Sequence, residues 1–181
     1  SVVMTNCGFG FAPCRTEHQD RYMVMMENVE QIPVAHQRAS LPWDWQSFPE
    51  FMTSLRGTEK AVNAMVYVPM NALLIFVMGI EEAKSRPASK SELAEIKQLL
   101  NDAMDAGAIG LSCSYLGHNN VHVDFDGSAM PCDVMDLDQL VDIASVLKDR
   151  GEGVIQCLSG LAGQDATVEA SERLARETGR P

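Results

Sequence analysis

Hydrophobic positions along the chain alternate between two kinds of pattern. Short, nearly unbroken apolar runs recur near residues 2–6, 61–68, 108–112 and 153–157. Runs of that length, bounded by turn residues, read as strands covered on both faces. The first, Val2-Val3-Met4-Thr5, is expected to be buried and closes at Asn6-Cys7-Gly8. The second ends at Pro69, the third is Ala108-Ile109-Gly110-Leu111-Ser112, and the fourth is Gly153-Val154-Ile155-Gln156-Cys157.

Between these runs, apolar residues fall at helical spacing behind recognisable start signals. Thr16 with Gln19, Ser47 with Glu50, Ser89 with Glu92, and Asp136 with Gln139 each read as capping pairs. The third pair opens the clearest helix, with Leu93, Ile96, Leu99, Leu100, Ala103 and Met104 on one face and Gly107 at its end. The fourth opens a helix facing inward through Leu137, Leu140, Val141, Ala144 and Leu147, and a last helix is predicted over Thr167 to Thr178. Asn71 to Met78 fits helix or strand equally. Ile32 to Trp45, with two prolines and both tryptophans, reads as an ordered loop.

Strand and helix alternating about four times is the pattern of an α/β protein with a parallel sheet. Gly8-Phe9-Gly10 lacks the third glycine of a dinucleotide fingerprint and opens no immediate helix, and no phosphate-loop pattern occurs. The expected fold is therefore a segment of a TIM-type (β/α) barrel of about four parallel β/α units. It forms a single domain over residues 1–181, with its chemistry in the loops at strand C-termini.

Charge narrows the partners. The 25 acidic side chains outnumber the 14 Lys and Arg, for a net −11, which disfavours nucleic acid. No apolar run approaches the roughly 18 residues that span a bilayer, so no membrane is expected. The five cysteines are odd in number and show no CxxC pair, as suits reduced thiols in a cytoplasm. Both ends read as cuts through a longer protein. The outer strands would then keep open edges, and a homo-oligomer is expected to cover them.

Four stretches carry a resemblance: VVMTNCGFGFAP after the first strand, IPVAHQRASLPWDWQSFPEFMTSL, VPMNALLIFVMG, and the run from DAGAIGLSCS to the Asp-Gly of HVDFDG. In order and spacing they resemble the N-acyl-D-amino-acid deacylase (D-aminoacylase) branch of the amidohydrolase superfamily, zinc hydrolases built on a TIM barrel. The resemblance implies hydrolysis of an N-acyl amino acid or related amide by metal-activated water. In that chemistry zinc lowers the pKa of its water and polarises the carbonyl, while an Asp moves protons. It implies Cys7 as a zinc ligand, whereas the residue types alone also allow a buried structural cysteine. The family's His-x-His would precede Ser1 and its catalytic Asp would follow Pro181.

Two departures stand out. Leu158 occupies a position where the family has a metal-binding histidine, and Met70-Asn71 stands where relatives commonly have His-Gly. The loop holding His118, His122, Asp124, Asp126 and Cys132 reads either as a metal or substrate loop or as a solvated loop with a turn at Asp126-Gly127. His122 with Asp126-Gly127 matches a family element, which implies substrate-side contacts for both. Trp43, Trp45 and the stripe Met23, Met25, Met26 read as packing residues, and His18 and His36 are assigned no role. Two other readings remain open: a non-catalytic α/β fragment or binding module without a complete metal site, and a thiol hydrolase using Cys7.

Overall fold

The computed structural model describes residues 1–118, 122–158 and 165–181, with side chains omitted over 165–167. Among the described residues the chain is a mixed α/β structure whose strands all pair in parallel, apart from one isolated antiparallel bridge between Val123 and Ala129. β1 (Val2–Met4) pairs with β2 (Ala64–Val66), and β3 (Val68–Pro69) pairs with β4 (Gly110–Ser114), which pairs with β5 (Val154–Leu158). Tyr67 separates β2 from β3 without parting them. Its N–H donates to the Met4 carbonyl at 3.2 Å, and Ile109 N–H donates to the Val66 carbonyl at 3.0 Å. The strands therefore lie side by side in chain order.

Helices fill the intervals: α1 (Gln19–Glu30), α2 (Val34–Ser40), α3 (Phe48–Gly57), α4 (Met70–Met78), α5 (Ile80–Ser85), α6 (Lys90–Asp105), α7 (Pro131–Val134), α8 (Leu137–Arg150) and α9 (Asp165–Thr178). The expected starts of α3 and α6 are full capping boxes, Ser47 with Glu50 and Ser89 with Glu92. Asp136 caps α8 by accepting from Asp138 and Gln139 N–H. Leu111 and Cys113 of β4 are wholly buried in one core with Ile96 and Leu100 of α6 and Leu140, Ile143 and Leu147 of α8. A second core joins Tyr22, Met25 and Met26 of α1 to Phe9, Cys14, Ala72 and Ile75. The methionines are thus core filler, as expected. The two indoles stack at 5.4 Å, with Trp45 Nε1–H donating to the Phe11 carbonyl.

Several expectations are corrected. Residues 32–45 contain α2, a helix without an apolar stripe. It is held instead by buried Gln37, whose amide donates to the carbonyls of Met23 and Ile32. Thr16 opens only a 3-10 turn, and α1 starts at Gln19 with no side-chain cap. Asn71 to Met78 is helical. Seven of the nine α4 residues are buried, so no amphipathic period could mark it. β1 is not buried on both faces, because Val2 and Val3 are 42% and 39% exposed at an open edge. Val154, on the opposite edge strand, is 37% exposed. No described helix is long and apolar enough to cross a membrane.

Candidate functional site

The chain leaves β1 in an unusual conformation. Thr5, Cys7 and Gly8 all adopt left-handed backbone angles, with φ of +62°, +58° and +78°. This folds Asn6–Gly8 into a 3-10 turn at the C-terminal end of β1, packed against β4 and β5. Gly8 is required there, since an added Cβ would meet Cys113 Cα and Cys132 Sγ at 3.2 Å and Asn71 Nδ2 at 3.3 Å. Its N–H donates to Ser112 Oγ at 3.1 Å, and Cys7 N–H donates to Gln156 Oε1. Side chains on β4 and β5 thus hold the turn by its backbone, leaving the half-buried Cys7 thiol available.

The surroundings of Cys7 are electronegative. Burial raises its pKa, and Glu30, Cys157 and Asp133 raise it further. A thiol in that setting lacks the lowered pKa of a nucleophilic cysteine, and a cation is the partner that such a field favours.

Beneath the turn lies a buried polar chain. Ser114 Oγ and Cys132 Sγ are 3.0 Å apart, and Cys132 N–H donates to Asn71 Oδ1 at 2.9 Å. Burial and Asp133 push the Cys132 thiol up to about 12. Asp133 is 2% exposed, and its Oδ1 accepts from Leu116 N–H at 3.1 Å. Burial pushes its carboxyl up to about 6, against the opposing pull of Ser114, Leu116 N–H and His122. Asp133 Oδ2 and Asn71 Nδ2 have no hydrogen-bond partner among the described residues. Buried polar atoms left without a partner are rare in folded proteins, so both are candidates to meet something polar.

His122 and Asp126 are placed differently. His122 is half-buried, edge-on to Phe9 at 5.8 Å and within electrostatic reach of Asp133. Asp126 is exposed in a turn with Gly127, and its Oδ1 accepts from Ser128 N–H and Oγ–H at 2.9 and 2.6 Å. The structure therefore sets His122 against Phe9 near Asp133 and occupies Asp126 with its own turn. His118 is exposed. The loop is pinned by Asp124, which is buried and ion-paired to Arg21 and Lys84. That role, and the parts Asp133 and Ser114 play in the cluster, carry no local sequence signal, and Asn71 stands out only as a departure from the family pattern. Nothing local marks Asp133, because only burial sets it apart.

Among the described residues, no group of three or more His, Cys, Asp or Glu side chains could hold a metal ion. Leu158 ends β5 where the resemblance calls for a histidine, and the segment 159–164 lies outside the described residues. The residues in hand thus fit one soft donor, Cys7, and not a complete metal centre.

No protein-family model matches the chain. It is similar to two curated proteins of Alcaligenes xylosoxydans xylosoxydans. D-aminoacylase is 29% identical over 62% of this chain and 20% of its own length. N-acyl-D-aspartate deacylase is 23% identical over 85% of this chain and 26% of its own length. The chain thus spans a fifth to a quarter of these relatives. Among solved structures, D-aminoacylase, described as defining a novel subset of amidohydrolases, matches 99% of this chain and 33% of its own, with 22% identity and a TM-score of 0.69. The N-acyl-D-glutamate deacylase of Bordetella bronchiseptica, complexed with zinc and a phosphonate mimic of the tetrahedral intermediate, matches 99% and 32%, with 20% identity and a TM-score of 0.71. The resemblance read from the four sequence stretches is thus to the D-aminoacylase-like amidohydrolases.

Proposed function

We propose that this chain is a segment of a TIM-type (β/α) barrel belonging to a metal-dependent amidohydrolase that cleaves the amide of an N-acyl amino acid. The observation that carries the reading is the left-handed turn at Asn6–Gly8. It holds Cys7 just past the C-terminal end of β1, against β4 and β5, with Glu30 and Asp133 near enough to disfavour its thiolate. Cys7 serves as one zinc donor in this reading, and the other ligands lie outside the described residues. His122 and Asp126 stand on the substrate side. The five free thiols support a cytoplasmic location.

One observation favours a second reading, a non-catalytic module. Leu158 ends β5 with no metal-binding side chain, and no three-ligand cluster forms among the described residues. Elemental analysis of the purified protein, with turnover measured on a panel of N-acyl-D-amino acids, separates the two. Stoichiometric zinc that falls by at least half in Cys7→Ser supports the hydrolase. Metal-free protein without turnover supports the module.

Association follows from the same segment reading. Val2 and Val3 on β1 and Val154 on β5 leave apolar edges open, and a second copy of the chain is proposed to cover them. Sedimentation velocity at micromolar concentration should show a dimer, and a stable monomer would discard the proposal.

A further inference from the structure

All five cysteines are free thiols, and two of them share a rung of the sheet. Cys113 of β4 and Cys157 of β5 are direct Cα partners in the parallel register. Their side chains therefore leave the same face of the sheet. Neighbouring strands lie about 4.7–4.9 Å apart, inside the roughly 4.4–6.8 Å between Cα atoms that a disulfide spans. Each thiol lies close enough to the other to shift its ionisation. The remaining cysteines are engaged elsewhere. Cys132 meets Ser114 Oγ, and Cys14 sits in the second core with its thiol on the Arg15 carbonyl. Cys7 lies outside the strand pair, in the turn at the end of β1.

Access differs between the two members. Cys113 is wholly buried, whereas Cys157 is half-buried and hydrogen-bonded to Ser171 of α9. A small oxidant therefore reaches Cys157 first.

We propose that Cys113 and Cys157 form a redox-active dithiol that reduces a hydroperoxide and closes to a cross-strand disulfide. Cys157 sulfur attacks the peroxide oxygen, the O–O bond breaks, and an alcohol or water leaves with the thiol proton, so that Cys157 becomes a sulfenic acid. Cys113 sulfur then attacks Cys157 sulfur. The S–S bond forms, the S–O bond breaks, and water leaves with the Cys113 proton. Two thiols are oxidised by two electrons and one hydroperoxide is reduced. Closure draws Cys157 away from Ser171 and fixes β4 to β5 directly beneath Gly8, whose added Cβ would touch Cys113 Cα.

Treatment of the protein with stoichiometric hydrogen peroxide, alkylation and peptide mapping by mass spectrometry tests this. The expected result is a mass lower by two hydrogens, one linked pair joining the Cys113 and Cys157 peptides, and full reversal by dithiothreitol. Cys113→Ser and Cys157→Ser should each abolish the linked pair, and Cys132→Ser should retain it. The wild-type map decides even if a variant fails to fold. Five thiols surviving peroxide, a link through Cys7 or Cys132, or sulfinic acid at Cys157 without a link would each overturn the proposal.

Discussion

Gly110→Ala should destabilise the chain by about 3 kcal/mol or more, enough to leave much of it unfolded. Gly110 opens β4 with φ of +148°, a region closed to side chains. An alanine Cβ would stand 1.9 Å from the Val154 carbonyl oxygen and 2.6 Å from its nitrogen. Those atoms are backbone of the paired strand, so no rotamer change relieves the contact. Either β4 and β5 part at their first rung or β4 loses its register with β3. Both outcomes disturb the turn at Asn6–Gly8, which hangs on Ser112 and Gln156. Urea denaturation followed by circular dichroism measures the effect, and a midpoint equal to that of wild type would contradict the strand geometry described here.

Removing the Asp124 charge should cost about 3 kcal/mol, toward the low end for a buried ion pair because Arg21 keeps some solvent contact. The carboxylate is fully buried, accepts from both Arg21 and Lys84, and also accepts from Phe125 N–H. Arg21 in addition lies 4.1 Å above the Phe125 ring. Asp124→Asn keeps the shape and strands two cations, whereas Asp124→Ala also opens a cavity and should be worse.

The pH dependence has a definite sign. Burial alone would raise the carboxyl, but Arg21, Lys84 and Phe125 N–H together hold it below its ordinary 3.8. A depressed folded-state pKa gives stability that is complete above the unfolded value and is lost as pH falls through the folded one. Wild-type stability should therefore fall below about pH 4, and the Asp124→Asn curve should be flatter there. Equal urea midpoints for wild type and Asp124→Asn at pH 7 would show that the loop is held by something else.

The sequence by itself determined the alternation of strands and helices and the direction of the strands. Four apolar runs without amphipathic alternation, each followed by a helical pattern, leave little but parallel pairing with helices packed over the sheet. Ser47, Ser89 and Asp136 act as caps because their partners lie within one helical turn, and local signals of that kind survive folding unchanged. Cys7 was legible only through its family-like neighbourhood, Asn6-Cys7-Gly8.

Tertiary structure decided what depends on distant partners. α2 is held by the single buried amide of Gln37, and α4 is buried on all sides, so neither shows the periodicity that marks a surface helix. Asp133 and Asp126 both follow β4, Asp133 in α7 and Asp126 in a turn. One is sealed beneath the turn with its carboxyl near 6, and the other is exposed and tied to Ser128. The cause is desolvation, which is set by packing between segments far apart in the chain and leaves no trace in local residue order. The pairing of Cys113 with Cys157 is of the same kind, since it exists only in the register between β4 and β5.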